Sequence, residues 1–182
     1  TLVEHGRRAG RPTTIVSRDK DLTQLLMKDD VFWDFAGKGK LGYDHILEVF
    51  GVRPEQIADF LALAGDAVDN IPGVPGVGKK TASALLAHFD TLDEIYGNLD
   101  RILEVPVRGA KTQGAKLDTH REAAMLARRL TGIACDAPID DAETKLRRSM
   151  PDLGAINALF DEANIGTALR RQAERVSDLS RY

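Results

Sequence analysis

This sequence of 182 residues has little cysteine and no long hydrophobic run. Its single cysteine, Cys135, excludes an internal disulfide and a thiolate metal cluster and suits a reducing compartment, so we expect a cytoplasmic location. No apolar run approaches the ~20 residues that cross a bilayer, and Thr1–Arg8 contains no apolar signal core. We therefore expect no membrane partner and no chemistry carried by cysteine.

An excess of charge of one sign is also missing. The 25 basic and 28 acidic residues give a net charge of −3, which is too small to indicate a nucleic-acid partner by itself. Residues 101–130, with seven basic and three acidic side chains, are the one basic stretch. A solvated helix face would give the same bias, so this stretch needs a second observation. The apolar fraction of 43 % is typical of a globular protein with one domain or two small ones.

The hydrophobic pattern divides into a β–α–β segment and a longer helical region. Thr13–Ser17 predicts a buried strand, and Val31–Phe35 predicts a second strand that ends in a turn at Gly37 and Gly39. Asp21–Met27 between them has leucines at helical spacing. Later predicted helices are Tyr43–Phe50, Pro54–Ala64, Lys79–Phe89, Leu92–Tyr96, Leu117–Leu130, Leu153–Ala163 and Gly166–Arg175, with a loop at Val105–Gly114 and a turn at Pro138–Asp141. We therefore expect an α/β part over residues 1–42 and a mostly α-helical part over residues 43–182.

Glycines and prolines punctuate residues 65–78, just before the predicted helix Lys79–Phe89. The spacing Gly73-x4-Gly78-Lys79 is that of a nucleotide-binding P-loop. However, Lys80 stands where a P-loop has Ser or Thr, and this loop follows a helix rather than a strand. A helix-hairpin-helix over about residues 58–89 fits the pattern better.

A helix-hairpin-helix would bind phosphate through its backbone. In this hypothesis Gly76 and Gly78 adopt positive φ, and the free N–H groups at the start of the second helix bind the anion. Lys79 and Lys80 add positive charge there. Contacts to backbone phosphates do not depend on base sequence and weaken as salt rises. A glycine-rich helix cap without a ligand remains the alternative.

Four aspartates occur in two pairs. Asp19 and Asp21 follow the first predicted strand, at the edge where open α/β sheets present ligands, and Asp66 and Asp69 lie in the turn before the hairpin. For either pair alone, helix caps and turn formers are the slightly favoured interpretation. Four converging carboxylates would repel one another unless divalent cations neutralise them, and oxygen ligands favour Mg²⁺ or Mn²⁺. Metal ions beside bound DNA phosphate would indicate phosphodiester hydrolysis.

Three segments carry these residues. They are Ile15–Leu26 (IVSRDKDLTQLL), Gly65–Ala82 (GDAVDNIPGVPGVGKKTA) and Lys116–Ala124 (KL-x3-RE-x-A). Together they resemble the bacterial 5′-nuclease family, which comprises the 5′–3′ exonuclease domain of DNA polymerase I and its stand-alone, flap-endonuclease-like relatives. The resemblance covers residues 13–130 well and residues 131–172 loosely.

The resemblance implies a structure-specific 5′–3′ exonuclease or 5′-flap endonuclease of DNA replication and repair, monomeric and acting on duplex or flapped DNA with Mg²⁺ or Mn²⁺. It implies the end of a PIN-like α/β nuclease domain followed by a helix-3-turn-helix domain. The metal ligands and catalytic residues would be Asp19, Asp21, Asp66 and Asp69. The DNA contacts would be Gly73, Gly76, Gly78, Lys79, Lys80, Thr81, Lys111 and Lys116, with K⁺ held by main-chain carbonyls of the hairpin.

The sequence also departs from the family. The family's other acidic residues and its basic arch lie upstream of the helix that ends here at Gly10. Because Thr1 is not Met and this helix lacks its beginning, we expect the C-terminal portion of a longer nuclease. Such a piece holds only part of the metal cage, so we expect it to be weak or inactive alone; a non-catalytic DNA-binding module is the alternative. Gln172–Tyr182 opens no further domain, which favours a stand-alone nuclease over a polymerase fusion.

Overall fold

The computed structural model describes residues 1–37, 39–139 and 150–179. They form two compact units, Thr1–Ile139 and Asp140–Tyr182, which we describe separately. The predicted boundary near residue 42 lies inside the first unit and stays a prediction. Within the described residues no helix has both the length and the apolar character that crossing a membrane requires.

A small sheet forms the α/β part of the first unit. Its elements are α1 (Leu2–Arg8), β1 (Thr14–Val16), a 3₁₀ helix (Lys20–Leu25), β2 (Val31–Asp34) and β3 (Gly39–Leu41). The strand order is β1-β2-β3, with β1 and β2 parallel and β2 and β3 antiparallel. The predicted β–α–β pattern is correct in outline, but its connection is a 3₁₀ helix. The prediction that the first strand is buried was wrong, because Thr14 and Val16 of β1 are exposed. β3 was not predicted, because Leu41 is its one apolar side chain; Leu41 lies opposite Phe32 of β2, and both are buried.

Helices make up the rest of the first unit. They are α2 (Tyr43–Phe50), a 3₁₀ helix (Pro54–Gln56), α3 (Ile57–Ala64), α4 (Lys79–Phe89), α5 (Leu92–Gly97), a 3₁₀ helix (Leu99–Glu104), α6 (Ala110–Thr119) and α7 (Arg121–Thr131). The central helix is α3, which packs against α4, α7 and the 3₁₀ helix after β1. Six of its eight residues are buried. Since α3 contacts both α4 and the 3₁₀ helix after β1, it holds the loop before α4 close to the end of β1. The fold is therefore α/β followed by mostly α, as the sequence predicted.

The region between α5 and α7 differs from the prediction. The sequence predicted one helix over Leu117–Leu130 after a loop around Val105–Gly114, whereas the chain forms two helices that meet at His120. Gly109 lies in the predicted loop, but it has a left-handed φ of 74° and is the N-cap of α6. Gln113 and Leu117 lie four residues apart on one face of α6, and both are buried. Their burial stabilises a helix where the sequence predicted a loop.

The second unit contains two helices that pack against each other, α8 (Leu153–Glu162) and α9 (Thr167–Leu179). The Asp152 carboxylate caps α8 by accepting a hydrogen bond from the Ala155 amide at 3.0 Å. Both helices were predicted, although α9 continues four residues past the predicted end at Arg175. The predicted turn Pro138–Asp141 runs into residues outside those the structure describes.

Candidate functional site

The loop from α3 to α4 is held together by two glycines. Gly65 and Gly73 have φ values of 80° and 66°. A Cβ at Gly73 would lie 2.4 Å from the Gly65 backbone nitrogen, and a Cβ at Gly65 would lie 2.8 Å from the Ile71 carbonyl oxygen. Both contacts are with backbone atoms that have no freedom to move away. The two arms of the loop therefore touch through their backbones, and glycine is required at both positions.

This loop fixes the direction of the Asp66 side chain. The Asp66 amide donates to the Ile71 carbonyl, and the Ile71 amide donates to the Asp66 carbonyl, each at 2.8 Å. One carboxylate oxygen of Asp66 accepts a hydrogen bond from the Val68 amide at 3.1 Å, and the residue is buried. Asp69 lies in the same turn and is exposed.

The other two predicted carboxylates follow β1 and differ in their hydrogen bonding. Asp19 caps the 3₁₀ helix, because its Oδ1 accepts a hydrogen bond from the Asp21 amide at 3.0 Å. Asp21, two residues later, is partly buried, and its Oδ1 is enclosed without accepting a hydrogen bond. Caps and ligands were competing interpretations of this pair, and in this structure Asp19 acts as a cap.

Asp21, Asp66 and Asp69 come together although up to 48 residues separate them in sequence. One carboxylate oxygen of each lies within 4.8 Å of the others. Oxygens that bind one Mg²⁺ at about 2.1 Å lie at most about 4.2 Å apart, so a small inward movement would let all three bind the same ion. The enclosed Asp21 Oδ1 and the all-oxygen donor set also fit a hard divalent cation. Three of the four predicted ligands thus form one cluster, and Asp19 lies outside it.

Lys20 lies against this carboxylate cluster. Its Nζ donates a hydrogen bond to Asp66 Oδ2 and lies 3.4 Å from Asp21 Oδ1. Burial raises the pKa of Asp21, and the nearby Lys20 charge offsets this only in part. Burial also acts to raise the pKa of Asp66, but hydrogen bonds from Lys20 and the Val68 amide outweigh it, so that pKa lies below its ordinary value. The two carboxylates therefore differ in their readiness to hold a negative charge.

A cleft of about 730 Å³ opens beside the carboxylate cluster. The 3₁₀ helix after β1, the loop before α4 and the end of α7 all contribute to it; its lining is Arg18, Asp19, Lys20, Asp21, Val68, Asp69, Ile71, Leu130 and Thr131. Gln24 joins two of these parts by donating to the Asp21 and Thr131 carbonyls at 2.7 and 3.0 Å and accepting from the Ile133 amide. The sequence analysis did not single out Gln24 or Lys20, although both stand in the quoted segment Ile15–Leu26.

The start of α4 is open to solvent. Gly78 is its N-cap, and because glycine has no side chain, no side-chain cap occupies the first amides. Lys79 and Lys80 are exposed at this end, and Thr81 is half-buried. Lys79 lines a second cleft, of about 400 Å³, together with Lys20, so this helix end lies near the 3₁₀ helix that carries Asp21.

The predicted glycine conformations are half correct. Gly76 has a positive φ of 81°. Gly78 does not, because its φ of −90° and ψ of 177° give the extended backbone that an N-cap residue needs. A positive φ at Gly78 was therefore wrong.

Helix α6 brings one of its two predicted lysines to the hairpin. A Cβ at Gly76 would lie 2.9 Å from Lys116 Nζ, so the Lys116 side chain lies over this glycine. Gln113, one turn earlier, donates to the Gly76 carbonyl at 3.2 Å and fixes α6 against the loop. Lys111 lines a different cleft, between α6 and the 3₁₀ helix Leu99–Glu104. Of the two predicted lysines, Lys116 is therefore the one that contacts the hairpin.

A small sheet is followed by helices, and a helix-hairpin-helix lies beside a carboxylate cluster. This is the nuclease-like class of fold that the sequence predicted. Residues 52–154 match the family model described as the 5′-3′ exonuclease, C-terminal SAM fold. This match covers more than half of the chain, and the chain belongs to that family.

Two curated relatives and one solved structure show the extent of the similarity. DNA polymerase I of Pseudomonas aeruginosa is 44 % identical over 163 residues, which are 89 % of this chain and 18 % of the polymerase. Flap endonuclease Xni of Cronobacter sakazakii is 40 % identical over 147 residues, which are 81 % of this chain and 56 % of Xni. The bacteriophage T5 flap endonuclease, solved with DNA and metal ions, superposes with a TM-score of 0.60 at 22 % identity, over 71 % of this chain and 46 % of that one. The chain thus spans about half of some relatives and less than a fifth of others.

Proposed function

We propose that this chain is part of a structure-specific 5′–3′ exonuclease or 5′-flap endonuclease that hydrolyses DNA phosphodiesters with divalent metal ions. The observation that carries the proposal is the proximity of two features, the Asp21, Asp66 and Asp69 cluster and the open start of α4, where Lys79 lines the same cleft as Lys20. Phosphate bound at the helix end would lie beside carboxylates able to hold a metal ion. The polymerase I and flap endonuclease relatives, and the metal ions and DNA bound by the T5 enzyme, support this proposal.

Asp21, Asp66 and Asp69 would hold the metal. Asp19 would join them if its carboxylate released the hydrogen bond from the Asp21 amide. Carboxylate oxygens favour Mg²⁺ or Mn²⁺, and a bound ion of this kind activates water and stabilises the leaving oxygen. The protein's own part is to hold these side chains in place, through the Asp66–Ile71 backbone pair and the packing of α3. The proposal also includes K⁺ held by carbonyls of the hairpin.

DNA would be bound through its phosphates. The amides at the start of α4 and the side chains of Lys79, Lys80, Thr81 and Lys116 would contact one strand of duplex or flapped DNA, with the backbones of Gly73, Gly76 and Gly78 permitting the close approach. Lys111 would contact DNA farther along α6. Such contacts are independent of base sequence. A monomer in the cytoplasm completes the proposal.

The test measures DNA binding and cleavage by the 182-residue chain with a 5′-flap duplex in Mn²⁺. We expect slow, Mn²⁺-dependent release of 5′ products, which Asp66→Asn with Asp69→Asn abolishes while DNA binding is kept. Lys79→Ala with Lys80→Ala should weaken binding. Tight DNA binding with no cleavage by the chain, at any Mn²⁺ concentration, would instead favour the alternative for these 182 residues, a DNA-binding module without catalysis of its own. Absence of both activities would contradict the proposal altogether.

A further inference from the structure

Lys20 lies beside the carboxylates of the candidate metal site. Its ammonium group donates a hydrogen bond to Asp66 Oδ2 and lies 3.4 Å from Asp21 Oδ1. Two of the three candidate ligands are thus already paired with a positive charge. The residue stands between Asp19 and Asp21 in the chain, so the same 3₁₀ helix that supplies Asp21 supplies its counter-ion.

This pairing differs from an ordinary surface ion pair. The side chain of Asp66 is 6 % exposed and that of Lys20 is 38 % exposed, whereas ion pairs that contribute little join two exposed side chains. The contact also joins residues 46 positions apart, across the junction between the α/β part and the loop before α4. Removing one partner of such a pair leaves a buried carboxylate without compensation.

An ammonium group and a divalent ion compete for these oxygens. Both are cations, and at about 4 Å two unit charges repel by roughly 1 kcal/mol even in water and by more where the site is partly enclosed. Metal binding through Asp21 and Asp66 is therefore less favourable while Lys20 stays in its present position, and it favours movement of the Lys20 side chain away from the cluster.

We propose that Lys20 is a built-in counter-ion that neutralises the carboxylate cluster in the metal-free protein and competes with the divalent metal for it. This inference rests on the proposed function, because it assumes that the cluster is the metal site. Lys20 acts through Asp21 and Asp66 and is therefore a positioning residue. It lowers the affinity for metal and stabilises the metal-free fold.

The experiment compares Lys20→Met with the wild type in the 182-residue chain. Methionine keeps most of the aliphatic stem and removes the charge. Binding of Mn²⁺ is followed by electron paramagnetic resonance of the free ion, which needs no DNA and no activity. We expect the Mn²⁺ dissociation constant of Lys20→Met to be lower by about fivefold or more, the change that roughly 1 kcal/mol of lost repulsion gives.

Two further variants make the comparison specific. Lys28→Met is the matched control, because Lys28 is exposed on the α/β part and does not line the cleft. The Mn²⁺ affinity of this variant should equal that of the wild type. Lys20→Arg keeps the charge and should stay closer to the wild type than Lys20→Met does. Without metal, Lys20→Met should melt at a lower temperature than the wild type, and with saturating Mn²⁺ the difference should shrink.

The outcomes separate this inference from the proposed function. Wild-type binding of Mn²⁺ with equal or weaker binding by Lys20→Met would overturn the inference and leave the metal site intact. A wild type that binds no Mn²⁺ while Lys20→Met does would support strong competition by Lys20. No Mn²⁺ binding by either protein would contradict the metal site of the proposed function, and the competition with it.

Discussion

Asp30 shows how one buried side chain supports the site from a distance. Its carboxylate accepts hydrogen bonds from the Thr13 amide at 2.8 Å, the Met27 amide at 3.0 Å and the Arg7 guanidinium at 2.9 Å. Burial acts to raise the pKa of Asp30, but these three donors outweigh it and the pKa is lowered. The residue thus ties α1 and the start of β1 to the turn before β2, and so fixes the strand that leads to Asp21.

The lowered pKa of Asp30 predicts a pH dependence of stability. A carboxyl with a lower pKa in the folded state contributes stability above its unfolded pKa of about 3.9, and this contribution is lost as pH falls through the folded pKa. At pH 7, Asp30→Asn should lower the free energy of unfolding by about 2 kcal/mol. The difference from the wild type should shrink as pH falls below about 4.

Urea denaturation between pH 2 and pH 7 measures this difference. Asp29→Asn is the control, since Asp29 is the exposed neighbour of Asp30 and should leave stability almost unchanged at every pH. A difference for Asp30→Asn that stays constant down to pH 2 would show that lost packing, rather than the ionised carboxylate, causes the destabilisation.

Asp66 and Asp69 should respond differently to the same substitution. Considered as like charges alone, both would destabilise the metal-free protein, and their removal would raise or preserve its melting temperature. The structure changes this expectation for Asp66, which is buried and accepts hydrogen bonds from Lys20 and the Val68 amide. Without metal, Asp66→Asn should therefore lower the melting temperature, whereas Asp69→Asn, at an exposed position, should not.

Melting curves with and without Mn²⁺ test both aspartates. Each substitution should reduce or remove the increase in melting temperature that Mn²⁺ gives the wild type, because a ligand stabilises only the state that binds it. An undiminished Mn²⁺ response in both variants would remove these residues from the metal site.

At the scale of elements, the loop before α4 depends on backbone contact. A Cβ at Gly73 would lie 2.4 Å from the Gly65 nitrogen, and φ at Gly73 is positive. Gly73→Ala should therefore destabilise the protein by about 2 to 4 kcal/mol, since both steric overlap and backbone strain oppose it. Gly78→Ala is the matched control, because φ there is −90° and nothing lies within 4 Å of the added Cβ.

Urea unfolding followed by circular dichroism compares the two alanine variants. Gly78→Ala should cost about 1 kcal/mol or less, as expected for a changed N-cap residue. Equal effects of the two substitutions would show that the loop can open to admit a side chain at Gly73, and the close contact of its two arms would not be essential.

Elements with one strong local signal were predictable from sequence. The helices Tyr43–Phe50 and Lys79–Phe89 have the predicted ends, because glycines stop the first and start the second. β3 was missed because its stability comes from pairing with β2 rather than from its own residues. The break at His120 was missed because it depends on how α6 packs. Tertiary contacts decided both cases.

The residue types of the candidate site could be predicted from the sequence, but the hydrogen-bond partners of its carboxylates could not. The spacing of the aspartates indicated a cluster, and the structure brings Asp21, Asp66 and Asp69 together. Spacing could not tell that Asp19 would cap the 3₁₀ helix, since a cap and a ligand need the same side chain. Nor could it show that Lys20 would turn toward Asp66, a contact between residues 46 positions apart.

For the whole molecule, the proposed DNA contact makes a prediction about salt. Each phosphate contact releases counter-ions, so the logarithm of the binding constant should fall linearly with the logarithm of the salt concentration. Lys79→Ala with Lys80→Ala should reduce the steepness of this line by about 2, because each lysine accounts for about one phosphate. Fluorescence anisotropy with a labelled duplex, from low to high KCl, measures the slope.

The control for the salt experiment removes two charges elsewhere. Arg11→Ala with Lys28→Ala changes the net charge by the same amount, and both residues are exposed on the α/β part. That variant should keep the wild-type slope. Equal effects of the two pairs would mean that net charge, rather than the start of α4, determines DNA affinity.

The proposed function depends most on a metal site between the loop after β1 and the loop before α4. Anomalous X-ray diffraction from crystals of the chain grown with Mn²⁺ tests this claim most directly, because it locates the ion without reference to activity. The account predicts an anomalous peak within coordination distance of Asp21, Asp66 and Asp69, with the Lys20 side chain turned away from Asp66. A peak elsewhere, or Lys20 still paired with Asp66 beside a bound ion, would contradict it.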